Sequence, residues 1–450
     1  MGIKSMVATL VGRTSQWGLK TFFKGGSSLP GKLALSIDPN VLSHLAKDYQ
    51  IVVITGTNGK TLTTALTVNI LKQEFDNVLT NPTGANMVQG IVSTFLSAKP
   101  KKGQKKFAVL EIDEASLREV TKYLTPELFV FTNIFRDQMD RYGEIYTTYQ
   151  MIVDGAANAP EALILANGDA PIFNSIETVN KQIYYGFDHL TDQEQMAHYN
   201  TDNVLCPHCE HILHYKMITY ANLGKYYCPN CDYKRPELTY RLTDLTAMTN
   251  TSANFIIDEE AYQLEVGGLY NVYNALAATA VASHYHVAPE KIRAGLAYDE
   301  KVFGRQEVIH VDGKECTLVL VKNPVGLNQV IDMIGLTPEP FSLICLLNAN
   351  YADGIDVSWI WDGNHEAFAT MQIPAVIAGG DRHEDMALRL KVAGIEEERL
   401  TEVPEIDRIV EEIHSLPTNK VYILATYTAV LQLRKKFAEK GYIKGGMSGE

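Results

Sequence analysis

The sequence lacks any apolar run close to the roughly 20 residues that a helix needs to span a bilayer. It also lacks a convincing secretory signal, because the short apolar patch from Met6 to Val11 has no recognisable cleavage site. Cysteine is scarce, and six cysteines in 450 residues are too few for a disulfide scaffold. Together these absences predict a protein of the cytoplasm.

Positive charge is also in short supply. The 53 acidic residues outnumber 40 basic ones and leave a net charge of −13. Phosphate neutralisation needs clustered Lys and Arg, so the composition predicts no nucleic-acid partner. The first 37 residues differ from the rest because they contain no acidic residue. Aromatic residues and leucines alternate there with five basic residues: Lys4, Arg13, Lys20, Lys24 and Lys32.

This basic segment has two interpretations. It could be an amphipathic helix that contacts the inner face of the membrane, which would make the protein peripheral there. Alternatively, it is a terminal helix that packs on the next domain with its charges solvated. We favour the second interpretation, because a single basic segment binds membranes only marginally without a second signal.

Short β-branched runs alternate with helical patterns along most of the chain. Ile51–Ile54 is such a run, and a glycine-containing loop and a helical pattern over Thr63–Lys72 follow it. This alternation predicts an α/β fold with a largely parallel sheet. We expect a helical segment over 1–48, a central α/β domain over 49–302 and a smaller, Rossmann-like α/β domain over 303–450. A polar stretch at about 200–236 reads as an insertion in the central domain.

Four of the cysteines form two CPxC pairs inside this insertion. Each pair can present two thiolates from one tight turn, and two pairs complete a tetrahedral Zn²⁺ site. A site closed by four sulfurs leaves no open position, so we interpret the zinc as structural. A redox dithiol or two unrelated turns are the weaker alternatives. The predicted zinc ligands are Cys206, Cys209, Cys228 and Cys231.

The loop after the first strand has the composition of a phosphate-binding loop. Glycines let the backbone approach an anion closely, and the following helix N-terminus favours negative charge. Lys60 would neutralise the β- and γ-phosphates of ATP, and the hydroxyl of Thr61 would bind Mg²⁺. A full Walker pattern has one more glycine, at the position of Ile54. The predicted nucleotide-binding residues of the loop are Gly56, Thr57, Asn58, Gly59, Lys60 and Thr61.

This loop, ITGTNGKT, resembles the shortened nucleotide loop of the Mur ligases and the folylpolyglutamate synthases. The resemblance continues in order through residues 111–116, 132–143, 165–169, 268–278 and 303–307. It implies that Glu111 is a catalytic residue and binds Mg²⁺, and that Asn274 and Arg305 contribute to the nucleotide site. Which of Glu111, Asp113 and Glu114 holds the metal stays open.

The sequence departs from the Mur ligase pattern at several points. Gln138 stands where the family motif has a histidine, which puts the second Mg²⁺ ligand in doubt. Several members of the family also have a carbamylated lysine, but no lysine occurs here between Lys122 and Lys181. The family's HNP turn reads Lys-Asn-Pro here, at 322–324. The residues before Ile51 are too few for a UDP-binding domain.

We call the cysteine-bearing insertion at about 200–236 the ribbon. With this ribbon, no UDP-binding domain and a distinct C-terminal domain, the sequence resembles the branch of the family that amidates lipid II. That resemblance implies a GatD-type glutaminase as partner, lipid II at the membrane surface as substrate, and cofactors ATP, Mg²⁺ and Zn²⁺. ATP would activate the D-glutamate α-carboxylate as an acyl phosphate, and ammonia would convert it to D-isoglutamine in peptidoglycan synthesis.

Within residues 348–362 an acidic residue of this branch is implicated in completing the partner's Cys–His pair. By resemblance we predict Asp356, with Asp353 as the alternative. A carboxylate there would orient and charge the histidine that activates the thiol. The simpler interpretation is that Asp353-Gly354 forms a turn and Asp356 caps the next element.

Two other functions compete with this prediction. A ligase that adds glutamate to folate would need no glutaminase, but it leaves the ribbon unexplained. A zinc-ribbon module that binds nucleic acid conflicts with the acidic charge and with the phosphate loop.

Overall fold

The computed structural model of the chain describes residues 2–22, 28–82, 85–136, 145–188, 195–196, 204–297 and 306–443. Within the first part of the chain the helices are α1 Ile3–Phe22, α2 Leu29–Ile37, α3 Val41–Ala46, α4 Lys60–Lys72, α5 Val88–Ser97, α6 Leu117–Thr121, α7 Ile145–Ala156, α8 Leu269–His284 and α9 Pro289–Leu296. The strands are β1 Gln50–Thr55, β2 Asn77–Thr80, β3 Lys106–Glu111, β4 Leu128–Phe131, β5 Leu163–Asn167, β6 Gln182–Phe187, β7 Gln195–Met196, β8 His214–Tyr220, β9 Leu223–Tyr227, β10 Tyr240–Met248, β11 Ala253–Ile257 and β12 Glu260–Leu264.

Nine of these strands form one sheet in the order β12-β11-β10-β6-β5-β4-β1-β3-β2. In this sheet the seven neighbouring strands β10, β6, β5, β4, β1, β3 and β2 are parallel, and β11 and β12 add an antiparallel edge. Val52, Val53 and Ile54 in β1 are fully buried. A central parallel strand is covered on both faces, which explains why its sequence is a continuous apolar run. The predicted α/β fold with a largely parallel sheet is confirmed.

Helices α1, α2 and α3 pack against the side of this unit, as we favoured for the basic segment. Ala8, Ala34 and Val41 are fully buried in the same core as the nine-stranded sheet. Helices α1 and α2 both pack on α5. The backbone N–H of Gly31 in α2 donates to the hydroxyl of Ser93 in α5 at 2.9 Å. Among the described residues, no helix combines the length and the apolar character that crossing a membrane requires.

A second, separate sheet follows from Glu307 onward. Its helices are α10 Pro324–Gly335, α11 His383–Val392, α12 Ile406–Ser415 and α13 Tyr427–Glu439, and its strands are β13 Glu307–Val311, β14 Lys314–Leu320, β15 Ser342–Leu346, β16 Val376–Gly379, β17 Leu400–Val403 and β18 Lys420–Ala425. The strand order is β13-β14-β18-β15-β16-β17, parallel except for the hairpin of β13 with β14. Helices cover both faces, which produces two apolar cores.

The junction between the two units falls on residues 298–305, which lie outside the described residues. The domain limits 1–48, 49–302 and 303–450 therefore stay predictions. Strands β7, β8 and β9 form a third, small antiparallel sheet, which is inserted in the sequence between β6 and β10 of the main sheet. This small sheet carries its own core, to which three tyrosines and the cysteines contribute.

Candidate active site

The phosphate loop joins β1 to α4 at the carboxyl edge of the nine-stranded sheet. Gly56 has φ 132° and Gly59 has φ 83°, which L side chains rarely adopt. A Cβ at Gly56 would collide with Thr132 and Asn133, and one at Gly59 would collide with Asn274. Both glycines are therefore required by the backbone conformation and by the close approach of neighbouring residues.

The end of β4 holds the loop in place through side chains and backbone. The N–H of Thr57 donates to the carbonyl of Asn133 at 2.8 Å, and the N–H of Asn58 donates to its side-chain oxygen at 2.9 Å. The Asn133 amide and the Thr132 hydroxyl both donate to the carbonyl of Asn58 at 3.0 Å. These bonds fix the loop before any ligand binds, which is the preorganisation that an anion site needs.

Lys60 begins α4 and lies in a strongly acidic environment. Its ammonium donates to the carbonyl of Gly56 and forms an ion pair with Glu114, Nζ to Oε2 2.9 Å. Burial lowers the pKa of Lys60, but the negative charges of Glu114, Asp113 and Glu111 outweigh burial and raise it. Lys60 is therefore a protonated, largely buried cation inside the loop.

The acidic residues that surround Lys60 come from the end of β3 and the turn after it. Glu111 is the register partner of Ile54, so it lies beside the first residues of the loop. Asn81 clamps it by donating to the Glu111 carbonyl and accepting from its N–H, both at 2.9 Å. Asp113 instead accepts from the N–H of Ala115 at 3.1 Å. Glu111 and Glu114 are both buried, whereas Thr61 is half-buried.

A cleft opens between the loop and the second sheet unit. Asn58, Gly59, Tyr220 and Tyr270 line it on one side, and residues 319–322, 325–326 and 329–330 line it on the other. Asn323, fully buried, connects the two units because its side chain exchanges hydrogen bonds with that of Asn58 at 3.1 and 3.3 Å. The cleft therefore has one wall from each unit.

Asn274 lies behind the loop. Its side-chain oxygen accepts from the hydroxyl of Thr63 at 3.2 Å, and its amide donates to Asn271 at 3.3 Å. The amide has a second hydrogen that could serve a ligand. Two other residues named from the sequence, Gln138 and Arg305, lie outside the described residues.

The structure brings the four CPxC cysteines together. Their sulfurs lie 3.5–3.6 Å apart for the pairs 206–231, 209–228 and 209–231. All four Sγ atoms fall within 4.8 Å of one another. A tetrahedron with metal–sulfur bonds of ~2.3 Å has edges of about 3.8 Å, so the arrangement of these thiols is compatible with a tetrahedral metal.

The ribbon that carries the cysteines is anchored firmly to the main sheet. Arg235 forms ion pairs with Asp169 at 2.8 Å and with Asp188 at 3.1 Å, and Asp169 is fully buried. Asp169 also accepts from the Tyr273 hydroxyl and from the N–H of Phe187, both at 2.7 Å. Burial raises the pKa of Asp169, and the charge of Arg235 offsets part of that effect.

This anchorage places the tip of the β8–β9 hairpin at the cleft. Tyr220 ends β8, is buried, and makes an edge contact with Tyr273 at 5.6 Å between ring centroids. It is also one of the residues that line the cleft. The ribbon therefore contributes one side chain to the site formed by the phosphate loop.

The loop after β15 shows two very different aspartates. Asp353 is buried and accepts from the N–H of Thr428 at 2.7 Å, from its hydroxyl at 2.5 Å and from the N–H of Asn350 at 3.1 Å. Asp356 is exposed and accepts from the N–H of Ser358 at 2.8 Å. That hydrogen bond lowers the pKa of Asp356, so its carboxylate is ionised at neutral pH.

Sequence reasoning missed part of the site. Asn58 was named as a phosphate-loop residue, but its pairing with Asn323 was not foreseen, although the Lys-Asn-Pro turn was the available signal. The clamps by Asn81 and Asn133 and the presence of Tyr220 in the cleft were also missed. No local pattern marks Tyr220, because its position depends on how the ribbon docks.

Fold and loop together define the class of protein, a Mur ligase. The Mur ligase middle domain model matches residues 54–282. A solved pseudomurein peptide ligase type C from Methanothermus fervidus superposes with a TM-score of 0.66 at 23% identity, covering 89% of this chain and 81% of that one. At this identity the likeness shows the fold alone.

The relatives narrow this class. Over 448 residues, all of both chains, the sequence is 52% identical to the lipid II isoglutaminyl synthase (glutamine-hydrolyzing) subunit MurT of Streptococcus pneumoniae. It is 37% identical to the subunit of the same name from Staphylococcus aureus, covering 83% of this chain and 84% of the other. The MurT ligase C-terminal model matches residues 320–430. The chain belongs to the MurT family of Mur ligases.

Proposed function

We propose that this chain is the synthetase subunit of a lipid II isoglutaminyl synthase. It would use ATP to activate the α-carboxylate of D-glutamate in lipid II and would transfer ammonia to it. The observation that carries the proposal is the match to the MurT subunit of S. pneumoniae along the whole chain. The buried, preorganised phosphate loop supplies the chemistry that such an enzyme requires.

The nucleotide would bind across the cleft between the two units. Its phosphates would meet the N–H groups of residues 56–61, and the ammonium of Lys60 would contact the β- and γ-phosphates. The base would occupy the cleft beside Tyr220, with Asn274 and Arg305 as further proposed contacts. Asn58 and Asn323 link both walls, so binding there would hold the two units in a fixed relation.

Mg²⁺ fits the acidic end of β3, because Glu111 lies beside the loop in which Thr61 offers a hydroxyl. When bound, the ion would neutralise charge on the transferring phosphoryl group. Lys60 would share that task. The ion pair with Glu114 holds the ammonium at the loop, where a phosphate oxygen could join the contact.

In the reaction a carboxylate oxygen of the glutamate attacks the γ-phosphorus. The bond from the γ-phosphorus to the oxygen that bridges the β- and γ-phosphates breaks. ADP departs, and the substrate then carries an acyl phosphate. Ammonia then attacks the acyl carbon, phosphate departs, and loss of a proton from nitrogen gives the amide. Preorganised loop donors would stabilise the negative charge that develops on the phosphoryl oxygens.

Ammonia would come from a glutaminase subunit of the GatD type. The exposed carboxylate of Asp356 could complete that partner's Cys–His pair as its third member. Around it, Tyr351, Ile355 and Trp361 are 77%, 63% and 48% exposed, which suits a docking surface. Asp353 is a poorer candidate, because its carboxylate already receives three hydrogen bonds within the loop and from Thr428.

The four cysteines would hold a structural Zn²⁺. All four positions of a tetrahedral ion would be filled by sulfur, so the metal would have no place for a substrate. It would stabilise the ribbon, whose small core consists mainly of tyrosines and the cysteines themselves.

Mass spectrometry of lipid II tests this proposal. Incubation with the chain, Mg-ATP and ammonium should convert one carboxylate to an amide on the glutamate, and addition of a GatD-type partner should allow glutamine to replace ammonium. If no amide forms under either condition while another carboxylate stimulates ATP hydrolysis, the substrate assignment is wrong and the ligase class stands.

A further inference from the structure

Helix α1 has its small and large residues on unexpected sides. A surface helix usually buries an apolar stripe and exposes polar residues. In α1 the buried positions are small, with Ser5, Ala8 and Thr9 at 2%, 0% and 9% exposure. The large apolar side chains point outward, and Ile3 and Leu10 are 84% and 64% exposed.

Specific contacts fix this orientation. The Ser5 hydroxyl donates to the carboxylate of Asp38, and the guanidinium of Arg13 donates to the carbonyl of Leu96 at 3.3 Å. Gly12 faces Leu96 and Ala34 so closely that a Cβ would collide with Leu96. Rolling the helix to bury its apolar side would break these contacts and push larger side chains into a space that only small ones fill.

The exposed apolar residues of α1 lie along one side of the helix. Their spacing of three, four and seven residues places them on one side of the helix. The leucines at 29 and 33 of α2 add to the surface, at 44% and 38% exposure. Seven of the 18 exposed large apolar residues in the described part of the chain lie here: Ile3, Met6, Val7, Leu10, Trp17, Leu29 and Leu33. We call these seven residues the α1 face.

Charge identifies what could cover the α1 face. Lys4, Arg13 and Lys32 are exposed beside it, and the first 37 residues contain five basic and no acidic residues in a chain of net charge −13. A second copy of this chain would bring the same positive charge against itself. An anionic lipid surface instead offers phosphates to the basic residues and an apolar layer to the α1 face.

We propose that α1, whose small residues pack on the main unit, also lies in the plane of an anionic membrane surface with the α1 face toward the acyl chains, so that the two interpretations of the basic segment both hold. This membrane contact depends only on α1 and its charge, so it is independent of the proposed amidation reaction. One helix of this kind gives weak, reversible binding. Such binding would bring the cleft to the surface where a lipid-linked substrate resides.

Vesicle flotation with the full chain tests this proposal. The chain should float with vesicles of equal parts phosphatidylglycerol and phosphatidylcholine, and much less with phosphatidylcholine alone. The double variant Met6→Gln with Leu10→Gln should reduce the bound fraction at least about tenfold. The matched control is Leu388→Gln with Val392→Gln, which removes two comparably exposed residues, 54% and 59%, from α11. It should bind like the wild type.

Thermal unfolding and ATP hydrolysis in solution should be the same for both double variants, because the changed side chains are exposed. Wild-type binding that is absent, independent of anionic lipid or unaffected by the Met6/Leu10 changes would overturn the proposal. So would a dimer in sedimentation that becomes a monomer in the Met6/Leu10 variant, because the α1 face would then pair two copies. Loss of amidation with retained flotation would contradict the proposed reaction alone.

Discussion

The phosphate loop and the Asp356 loop are two candidate functional regions built in opposite ways. Lys60 and Glu114 are largely buried, and Asn133 fixes the backbone that surrounds them. Asp356 is exposed and is held by the N–H of Ser358. The first region contains its own supporting groups, whereas the second offers one carboxylate to the outside.

Under the proposed function, the difference separates a site that this chain would complete by itself from one that would need a second protein. A phosphoryl-transfer site gains from fixed dipoles and exclusion of water. A carboxylate that orients a histidine of another subunit has to remain accessible until that subunit binds. The 3₁₀ helix at 358–362 ends at Asp362, which forms an ion pair of 2.7 Å with Arg136 of the main unit.

Asp356→Asn gives the sharpest test of this separation. Asparagine keeps the oxygen that accepts from Ser358, so the loop should keep its conformation, but the negative charge is lost. Glutamine-dependent amidation by the complex with its glutaminase should fall by up to about 10⁴-fold, the loss seen when a catalytic triad lacks its carboxylate. Amidation with ammonium should be unchanged, and mass spectrometry of lipid II measures both.

The control for this variant is Asp407→Asn. Asp407 is another exposed aspartate of the second unit; it lies at the start of α12 and forms an ion pair with Lys436 of α13. The control variant should leave both activities intact. An equal loss of glutamine- and ammonium-driven amidation in Asp356→Asn would place its effect in the synthetase reaction or in folding. The contrast between the two regions would then be wrong.

Lys60→Ala should have the converse pattern. Removing the ammonium from the loop should lower both amidation activities and ATP hydrolysis by about 10²–10³-fold. One preorganised group that stabilises the negative charge developing on the phosphoryl oxygens contributes a factor of that size. Zinc content and the far-ultraviolet dichroism spectrum should be retained. Lys72→Ala changes an exposed lysine at the other end of the same helix and is the matched control. Unchanged ATP turnover in Lys60→Ala would remove the loop assignment.

The sequence predicted the phosphate loop better than it predicted what surrounds it. A strand, a glycine loop and a helix are local features, so the β1–loop–α4 geometry that holds Gly56, Gly59 and Lys60 could be predicted from residue order alone. Asn58 and Asn323 are 265 positions apart, and their pairing depends on how two sheet units meet. No propensity or periodicity records such a contact.

The same reasoning applies to the basic segment. Its sequence could show that a helix is amphipathic, but it could not show which side the rest of the chain covers. Tertiary contacts of Ser5, Gly12 and Arg13 decide that, and they leave the apolar side outward. The sequence favoured Asp356 over Asp353 by resemblance alone, and it could not show that Asp353 is buried while Asp356 is exposed.

The smallest expected effect concerns Tyr220, where the ribbon meets the phosphate-loop site. Tyr220→Ala should raise the Kd for ATP about fivefold, because an aromatic contact is worth ~1 kcal/mol. Removal of zinc by a chelator, or Cys228→Ser, should raise Kd by a similar factor, since the hairpin that holds Tyr220 would lose its support.

If both effects act through Tyr220, zinc removal should add little in the Tyr220→Ala variant, as titration calorimetry can measure. Ile212→Ala, an exposed change in the same ribbon, should leave Kd unaltered. Fully additive losses would mean that the metal and Tyr220 act on the nucleotide site independently, and the ribbon would then support the ligase by another route.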